Sequence, residues 1–308
     1  MTTEVSLLLE AARSKNTAKT YDVGMKCLQH FRLSHGLADK YPVPLYDLAL
    51  FIAFLSAEKY APATAVTYVA AIGYFHKLHD WQDPTEKFII RRMLDGFSRK
   101  TGKGADVRQP ITLEMLKKIT HALPHVCTNT YEACVYHAAF TLAFFGFMRV
   151  SEITAECNSA NQGALSVSDV QLRKENSLQA LHVSLRHSKN NQNGPPQLIA
   201  IPCQVDHAIC PVKAMQRYID IRPAGAAPLF CHYDTSPVTR TQFNAVLHKA
   251  ISFANIPGYF GSHSFRIGAA TTAAMQGVPD TQIQEMGRWR STAFKTYIRI
   301  PVSCIGNH

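Results

Sequence analysis

Arg266 follows His263 by three residues near the C-terminus, so on a helix the two side chains occupy neighbouring positions of one turn. Further along come Arg288, Trp289 and Arg290, and then Tyr297. These residue types can meet an oxyanion, move a proton, donate an indole hydrogen bond and supply a phenol nucleophile. Such a set is odd cargo for a plain core and suits a site that holds a phosphodiester. Upstream, Arg149 stands at the mouth of an apolar stretch with Glu152 three residues later. A surface Arg–Glu helix pair is the plain reading. Burying an arginine beside so apolar a stretch would be costly without a partner, which favours a paired cation in a site.

Short helices must deliver these groups. Ser264 to Gln276 reads as a helix whose Ala269, Ala270, Thr271, Thr272, Ala273 and Ala274 are small enough for close packing, with Gly277 as its stop. Pro279 and Asp280 open a second helix, with Thr281 and Gln284 at capping-box spacing, Ile283 and Met286 facing inward and Gly287 at its end. A third short segment brings in Tyr297. Before Arg149, the nearly continuous apolar run Thr130–Phe145 predicts a buried helix, and Thr112 with Met115 and Leu116 begins another. Leu165–Val167, Leu181–Leu185 and Leu198–Ile201 read as strands, with NQNGPP between the last two. Cys210–Ile221 and Thr239–Phe253 read as helices with apolar faces and basic outer faces.

The N-terminal third reads as all-helical. Leu7, Leu8 and Leu9 begin an apolar stripe, and Thr17–Leu33 carries a 3.6-residue pattern through Tyr21, Met25, Leu28, Phe31 and Arg32. Leu45–Ser56, Pro62–Leu78 and Pro84–Phe97 complete the set. Ser98–Pro110, with two glycines, a proline and four cations, reads as a linker.

At 308 residues the chain is long enough for two cores. Its 46% hydrophobic and 18% charged residues are ordinary for a globular protein, and a net charge of +10 favours a polyanionic partner. Neither a secretory h-region nor a bilayer-length apolar run is present, so a soluble, intracellular protein is expected. The eight cysteines read as reduced thiols; Cys203, His207 and Cys210 lack a fourth zinc ligand, and Cys210-Pro211 fits a helix entry. No carboxylate cluster points to Mg²⁺, which argues against the two-metal route; no metal and no cofactor are expected.

HSFR, a helix, a glycine, a second helix ending MGRW and then Tyr297 together resemble the C-terminal signature of the tyrosine recombinase (phage integrase) superfamily. The variant GRW…YIR is most similar to recombinases of eukaryotic DIRS-like and Ngaro-like retroelements and Crypton transposons. Phe147-Met148-Arg149-Val150-Ser151-Glu152-Ile153 resembles the family's first arginine motif, and Lys189 in RHSKNNQNG matches its hairpin lysine. The resemblance implies a catalytic set of Arg149, Lys189, His263, Arg266, Trp289 and Tyr297. Arg149, Arg266 and His263 would meet charge on the phosphorus, with Glu152 orienting Arg149. Lys189 would protonate the leaving 5′ oxygen, with Arg186 and His187 as substitutes in another register. Tyr297 would form a covalent 3′-phosphotyrosine without ATP. In many relatives the fifth residue directly follows the glycine, where Arg288 stands here. The GRW arrangement assigns Trp289, with Arg288 as register alternative and supporting residue.

The same resemblance implies a mainly α fold with a small antiparallel β-sheet. Residues 1–97 would be a helical core-binding (SAM-like) DNA-binding domain, 98–110 a basic linker and 111–308 the catalytic domain. Lys15, Lys19, Lys26, Arg91 and Arg92 of the first domain are expected outward, and Lys103 in the linker. These, with Lys213, Arg217, Arg240 and Lys249 of the second, would meet DNA phosphates. The implied function is site-specific recombination of double-stranded DNA for integration or excision of a mobile element, in the nucleus if the host is eukaryotic. A monomer that assembles into a dimer to tetramer on its site is expected. Pro301 to His308 are too short for a long docking helix, so either another surface would serve assembly or the sequence is trimmed at this end. The competing reading is a domesticated, non-catalytic DNA-binding protein, which would be expected to have lost the tyrosine or an arginine.

Overall fold

The computed structural model describes residues 2–102, 107–155, 163–175, 178–186, 194–225 and 228–299. The fold is mainly helical with one small sheet, and the chain divides into two compact units, Met1–Asp106 and Val107–His308.

The first unit holds α1 (Thr2–Ala11), α2 (Lys15–Ser34), α3 (Leu45–Ala57), α4 (Pro62–Leu78) and α5 (Phe88–Thr101). The Ser14 hydroxyl caps α2 by accepting from the Thr17 N–H at 3.2 Å. Leu28, Phe31, Leu48, Phe51, Leu55, Val69, Ile72 and Ile90 form the core. Arg32 continues the apolar stripe of α2 and is buried, held by Asp39 (3.0 Å), Asp47 (3.3 Å) and the Lys40 carbonyl (2.9 Å). A buried cation is tolerated only with such partners. Leu7, Leu8 and Leu9 do not form the expected core stripe: all three are exposed. Consecutive residues lie about 100° apart on a helix, so three adjacent leucines cannot share one face. Helix α5 continues to Thr101, four residues into the stretch expected as linker, and a 3₁₀ turn at Pro84–Glu86 precedes it. Lys19, Lys26, Arg91 and Arg92 are exposed, and Arg92 pairs with Asp95 at 3.3 Å. Lys103 lies outside the described residues, and so does the side chain of Lys15.

The second unit is built around α7 (Thr130–Phe145), whose Val135, Ala138, Ala139, Phe140, Leu142 and Phe144 are buried. The Asn129 side chain caps it through the Glu132 N–H at 2.8 Å. Around it lie α6 (Leu113–Val126), α8 (Val150–Ile153), α9 (Pro211–Ile221), α10 (Arg240–Phe253), α11 (His263–Met275) and α12 (Asp280–Met286). Pro211 takes the first helical position of α9, and Thr239 with Gln242 forms a capping box on α10. The sheet is antiparallel in the order β1 (Val170–Glu175), β2 (Leu178–Leu185), β3 (Gln197–Pro202). Leu172 faces Leu181, which faces Ile201, so one face of the sheet enters the core.

The expected first strand is misplaced. Residues 167–169 form a 3₁₀ turn, closed by Asp169 accepting from the Ser166 N–H (2.9 Å) and hydroxyl (2.6 Å), and the strand follows it. Cys203 and Cys210 bring their sulfurs to 3.3 Å, while Lys213 Nζ lies 2.6 Å from His207 Nε2. Among the described residues no group of three or more His, Cys, Asp or Glu is placed to hold a metal ion, and no helix is long and apolar enough to cross a membrane.

Candidate active site

Helix α11 carries His263 on its first turn and Arg266 one turn on. Its position is set by backbone: the Ile111 N–H donates to the Ser264 carbonyl at 3.1 Å. A Cβ on Gly268 would lie 1.8 Å from the Ile111 carbonyl oxygen, so only glycine fits that approach. On the other side, Ala269, Ala270 and Ala273 pack with Phe147, Ile283 and Phe294. The small side chains let α12 and the 3₁₀ segment Thr292–Tyr297 come close.

Arg266 is 1% exposed. Its terminal nitrogens donate to the carbonyls of Phe147 and Gly287, and its guanidinium stacks on the Trp289 ring at 4.2 Å. The Tyr297 ring centre lies 5.9 Å from the same guanidinium. His263 and Trp289 flank the tyrosine, with ring centres 4.9 Å and 5.0 Å from it. Thr271 fixes the tyrosine backbone: its hydroxyl donates to the Tyr297 carbonyl (3.2 Å) and accepts the Arg299 N–H (3.0 Å). Arg299 in turn donates to the Arg108 carbonyl.

Arg149 occupies the N-cap position of α8 and makes no side-chain cap bond. Glu152 accepts its backbone N–H at 2.8 Å and its Nη1–H at 2.9 Å. The Glu152 side chain is 3% exposed, and its second oxygen also takes a bond from Arg288 Nη2 at 2.9 Å. Arg288 is buried too and donates to the carbonyls of Gly146 (2.9 Å) and Phe147 (3.0 Å). Three guanidiniums thus gather around one carboxylate. Burial, then the charges of Arg149 and Arg288, push Arg266 down to about 9. Arg288 is likewise lowered, chiefly by burial. The excess positive charge in a place starved of water is an anion site by construction.

The end of α12 differs from the expected pattern. Pro279 is its N-cap with no side-chain cap bond, so Thr281 and Gln284 do not form a capping box. Ile283 is buried, but Met286 is 41% exposed, because the helix is only seven residues long and its last turn lies off the apolar seam. The left-handed position belongs to Arg288, with φ 56, and not to a glycine. The Arg288 N–H bonds to the Glu285 carbonyl (2.9 Å) and the Trp289 N–H to the Gln284 carbonyl (3.0 Å), a Schellman closure. That turn sends Arg288 inward to Glu152 while Trp289 folds back over Gly287, where a Cβ would meet the indole at 1.5 Å. The two candidates for the fifth position therefore diverge: Trp289 lies on Tyr297 and Arg266, and Arg288 lies on Glu152.

Arg149, Glu152, His263, Arg266, Arg288, Trp289 and Tyr297 are brought together. Lys189 and His187 lie outside the described residues. Arg186 is tied to the 3₁₀ turn, 2.5 Å from Asp169 and 3.2 Å from Ser168 Oγ. Arg240 and Lys249 are exposed on α10. Sequence reasoning missed the Phe147 and Gly287 carbonyls and the Thr271 hydroxyl. Backbone acceptors leave no trace in residue type; the only signal for Thr271 was a hydroxyl among alanines.

Residues 110–300 match the phage integrase family. Over 303 residues the chain is 23% identical to an integrase/recombinase XerD homologue from Selenomonas ruminantium, covering 92% of this chain and 81% of that protein. Its fold is similar to that of the Tn1549 transposon integrase in complex with a circular intermediate DNA, with TM-score 0.64, 16% identity and coverage of 96% and 93% of the two chains. A lambda integrase dimer bound to a core site (TM-score 0.62, 16% identity, 96% and 74%) is also similar. So is the XerH site-specific recombinase bound to a palindromic difH substrate (0.61, 15%, 93% and 77%).

Proposed function

From the premise that this chain belongs to the phage integrase family, we propose that it is a tyrosine site-specific DNA recombinase whose nucleophile is Tyr297. The observation that carries the reading is the position of the Tyr297 ring, 5.9 Å from a buried guanidinium within a cluster of three arginines and one carboxylate. The phenol gives up its proton to solvent as its oxygen attacks a backbone phosphorus, the bond from phosphorus to the 5′ oxygen breaks, and the 5′ hydroxyl leaves with a proton that Lys189 supplies. Arg149, Arg266 and His263 meet the charge that builds on the non-bridging oxygens. Trp289 holds the phenol ring from one side. Glu152 and Arg288 position Arg149 and do not touch the substrate. The reverse attack by a 5′ hydroxyl rejoins the strand, and no ATP is consumed because the phosphotyrosine keeps the bond energy.

Double-stranded DNA with a defined site is the substrate, and the protein passes from monomer to dimer or tetramer on it. The neighbours seen on DNA, one as a dimer, support DNA binding and assembly on DNA. The expected division into core-binding domain, linker and catalytic domain is kept, with the linker of 98–110 shortened at its start because α5 runs to Thr101, and Lys15, Lys19, Arg91, Arg92, Lys103, Arg240 and Lys249 are placed on phosphates. The mobile-element role, and placement with eukaryotic DIRS-like, Ngaro-like and Crypton recombinases, rests on the GRW…YIR motif; the curated relative is bacterial. Incubation with a library of nicked duplexes and sequencing of the trapped ends tests the whole reading. Wild type is expected to yield a covalent adduct at one site, and Tyr297→Phe to bind DNA without an adduct. An adduct that survives Tyr297→Phe overturns the assignment, and a wild type that never forms one makes the chain a binding protein.

A further inference from the structure

Helix α9 presents Lys213, Gln216 and Arg217 at i, i+3 and i+4, which places them on one face. The β1–β2 end of the sheet faces them. In the antiparallel register Lys174 pairs with Gln179 and Leu172 with Leu181, so Lys174 and Gln179 extend the core-facing side of the sheet beyond the last apolar pair. Between the two elements lies a groove of about 400 Å³ with Leu172 and Val212 as its apolar lining and Lys174, Lys213 and Arg217 as its cations, the Arg173 side chain alternating to the opposite face of the strand.

The charge is unusual. None of the groove's lining residues is acidic. Elsewhere lysines find carboxylates: Lys77 with Glu86 at 2.8 Å, Lys117 with Asp206 at 2.9 Å, Lys295 with Asp280 at 3.1 Å. Among the described residues, Lys174, Lys213 and Arg217 form no ion pair with a carboxylate. Arg173, on the other face of the strand, is held by the Gln171 side chain, which accepts from its Nε (3.1 Å) and Nη2 (2.8 Å). Gln216 has its own amide held by Asp220 at 2.7 Å. Three like charges kept around one groove repel one another unless an anion joins them.

Gln179 and Leu185 lie near opposite ends of β2, six residues apart and therefore roughly 20 Å, so the groove sits at the end of the sheet away from the edge where β2 leaves for β3. We propose that this groove is a second anion site that takes the phosphates of a polyphosphate or of a nucleic-acid backbone, separately from the phosphodiester at Tyr297. One guanidinium and two ammoniums around an apolar floor match several phosphates in a row better than a single ion. The site stands whether or not Tyr297 is a nucleophile.

The test uses the full chain with Tyr297→Phe, so that no covalent adduct contributes, and titrates inorganic tripolyphosphate and a short DNA duplex by calorimetry. Lys174→Gln with Arg217→Gln is compared with Arg240→Gln with Lys249→Gln, which removes the same charge from α10. The groove variant is expected to bind one probe about tenfold more weakly, the order that two lost charge-assisted contacts produce. The α10 variant is expected to leave tripolyphosphate binding unchanged. A loss for tripolyphosphate alone identifies free polyphosphate as the ligand, and a loss for DNA alone, larger than in the α10 variant, identifies a nucleic-acid backbone. Equal binding of both probes by the groove variant and its parent overturns the proposal, as does an equal loss in both charge variants.

Discussion

Replacing Glu152 with glutamine removes one charge and keeps the shape. The carboxylate accepts three bonds, from the Arg149 N–H, Arg149 Nη1 and Arg288 Nη2. A glutamine amide placed at either oxygen turns at least one acceptor into a donor that faces a donor, and three guanidiniums lose the counter-charge they share. Breaking a buried pair on one side costs about 3–5 kcal/mol. Taking about 3 kcal/mol, a unit of this size should melt roughly 6–12 °C lower. Arg149 also loses its anchor, and an angstrom of misplacement at such a group costs on the order of 10²-fold in rate. Binding should move the other way, because the excess positive charge rises and a phosphate restores part of it. Single-turnover cleavage of a nicked duplex, salt-matched DNA affinity and thermal melting with and without DNA read the three effects. The expected pattern is slower cleavage, affinity no weaker than wild type, and a larger DNA-induced rise in melting temperature. Glu152→Gln with Arg288→Met should recover part of the stability, since one buried cation leaves with the anion. Strictly additive single effects, or a loss below about 1 kcal/mol, would refute the shared-charge argument.

Three further outcomes follow from the geometry. Burial and two neighbouring cations lower Arg266 to about 9, so its charge is lost as pH rises through that value. The unfolded chain still binds the proton there, so this group alone makes the fold more stable with rising pH, while DNA cleavage should fall through about pH 9 with circular dichroism unchanged. Gly268→Ala drives a methyl into the Ile111 carbonyl; a loss of about 3 kcal/mol or more is expected from chemical denaturation, whereas Gly261→Ala, with open space around it, should cost far less. Lys189→Ala should slow cleavage of ordinary DNA and leave a duplex with a bridging 5′ sulfur nearly unaffected, because that leaving group needs no proton. Equal slowing on both substrates would remove the acid role from Lys189.

Helix α7 was legible because its apolar run is longer than any strand of ordinary length, and α9 and α10 because proline and a capping threonine mark their starts. The first strand was not, since VQLRKE carries one clear apolar alternation and the stronger-looking Leu165–Val167 is drawn into a turn by Asp169. Leu7 to Leu9 misled for the opposite reason: apolar content without a common face buries nothing.

His263 and Arg266 could be set side by side from spacing alone, because helix geometry ties neighbours within a turn, whereas Trp289 and Tyr297 joined them through the resemblance of the motif. Residue type likewise determined that the group would be cationic and aromatic. Which carbonyls receive Arg266, one of them 119 residues upstream, depended on the left-handed corner at Phe147. Which of Arg288 and Trp289 meets the tyrosine depended on a second left-handed residue at Arg288. Local sequence carries short-range propensities; the direction of a buried side chain is decided by which distant partners can satisfy its charge, and only the folded chain supplies those.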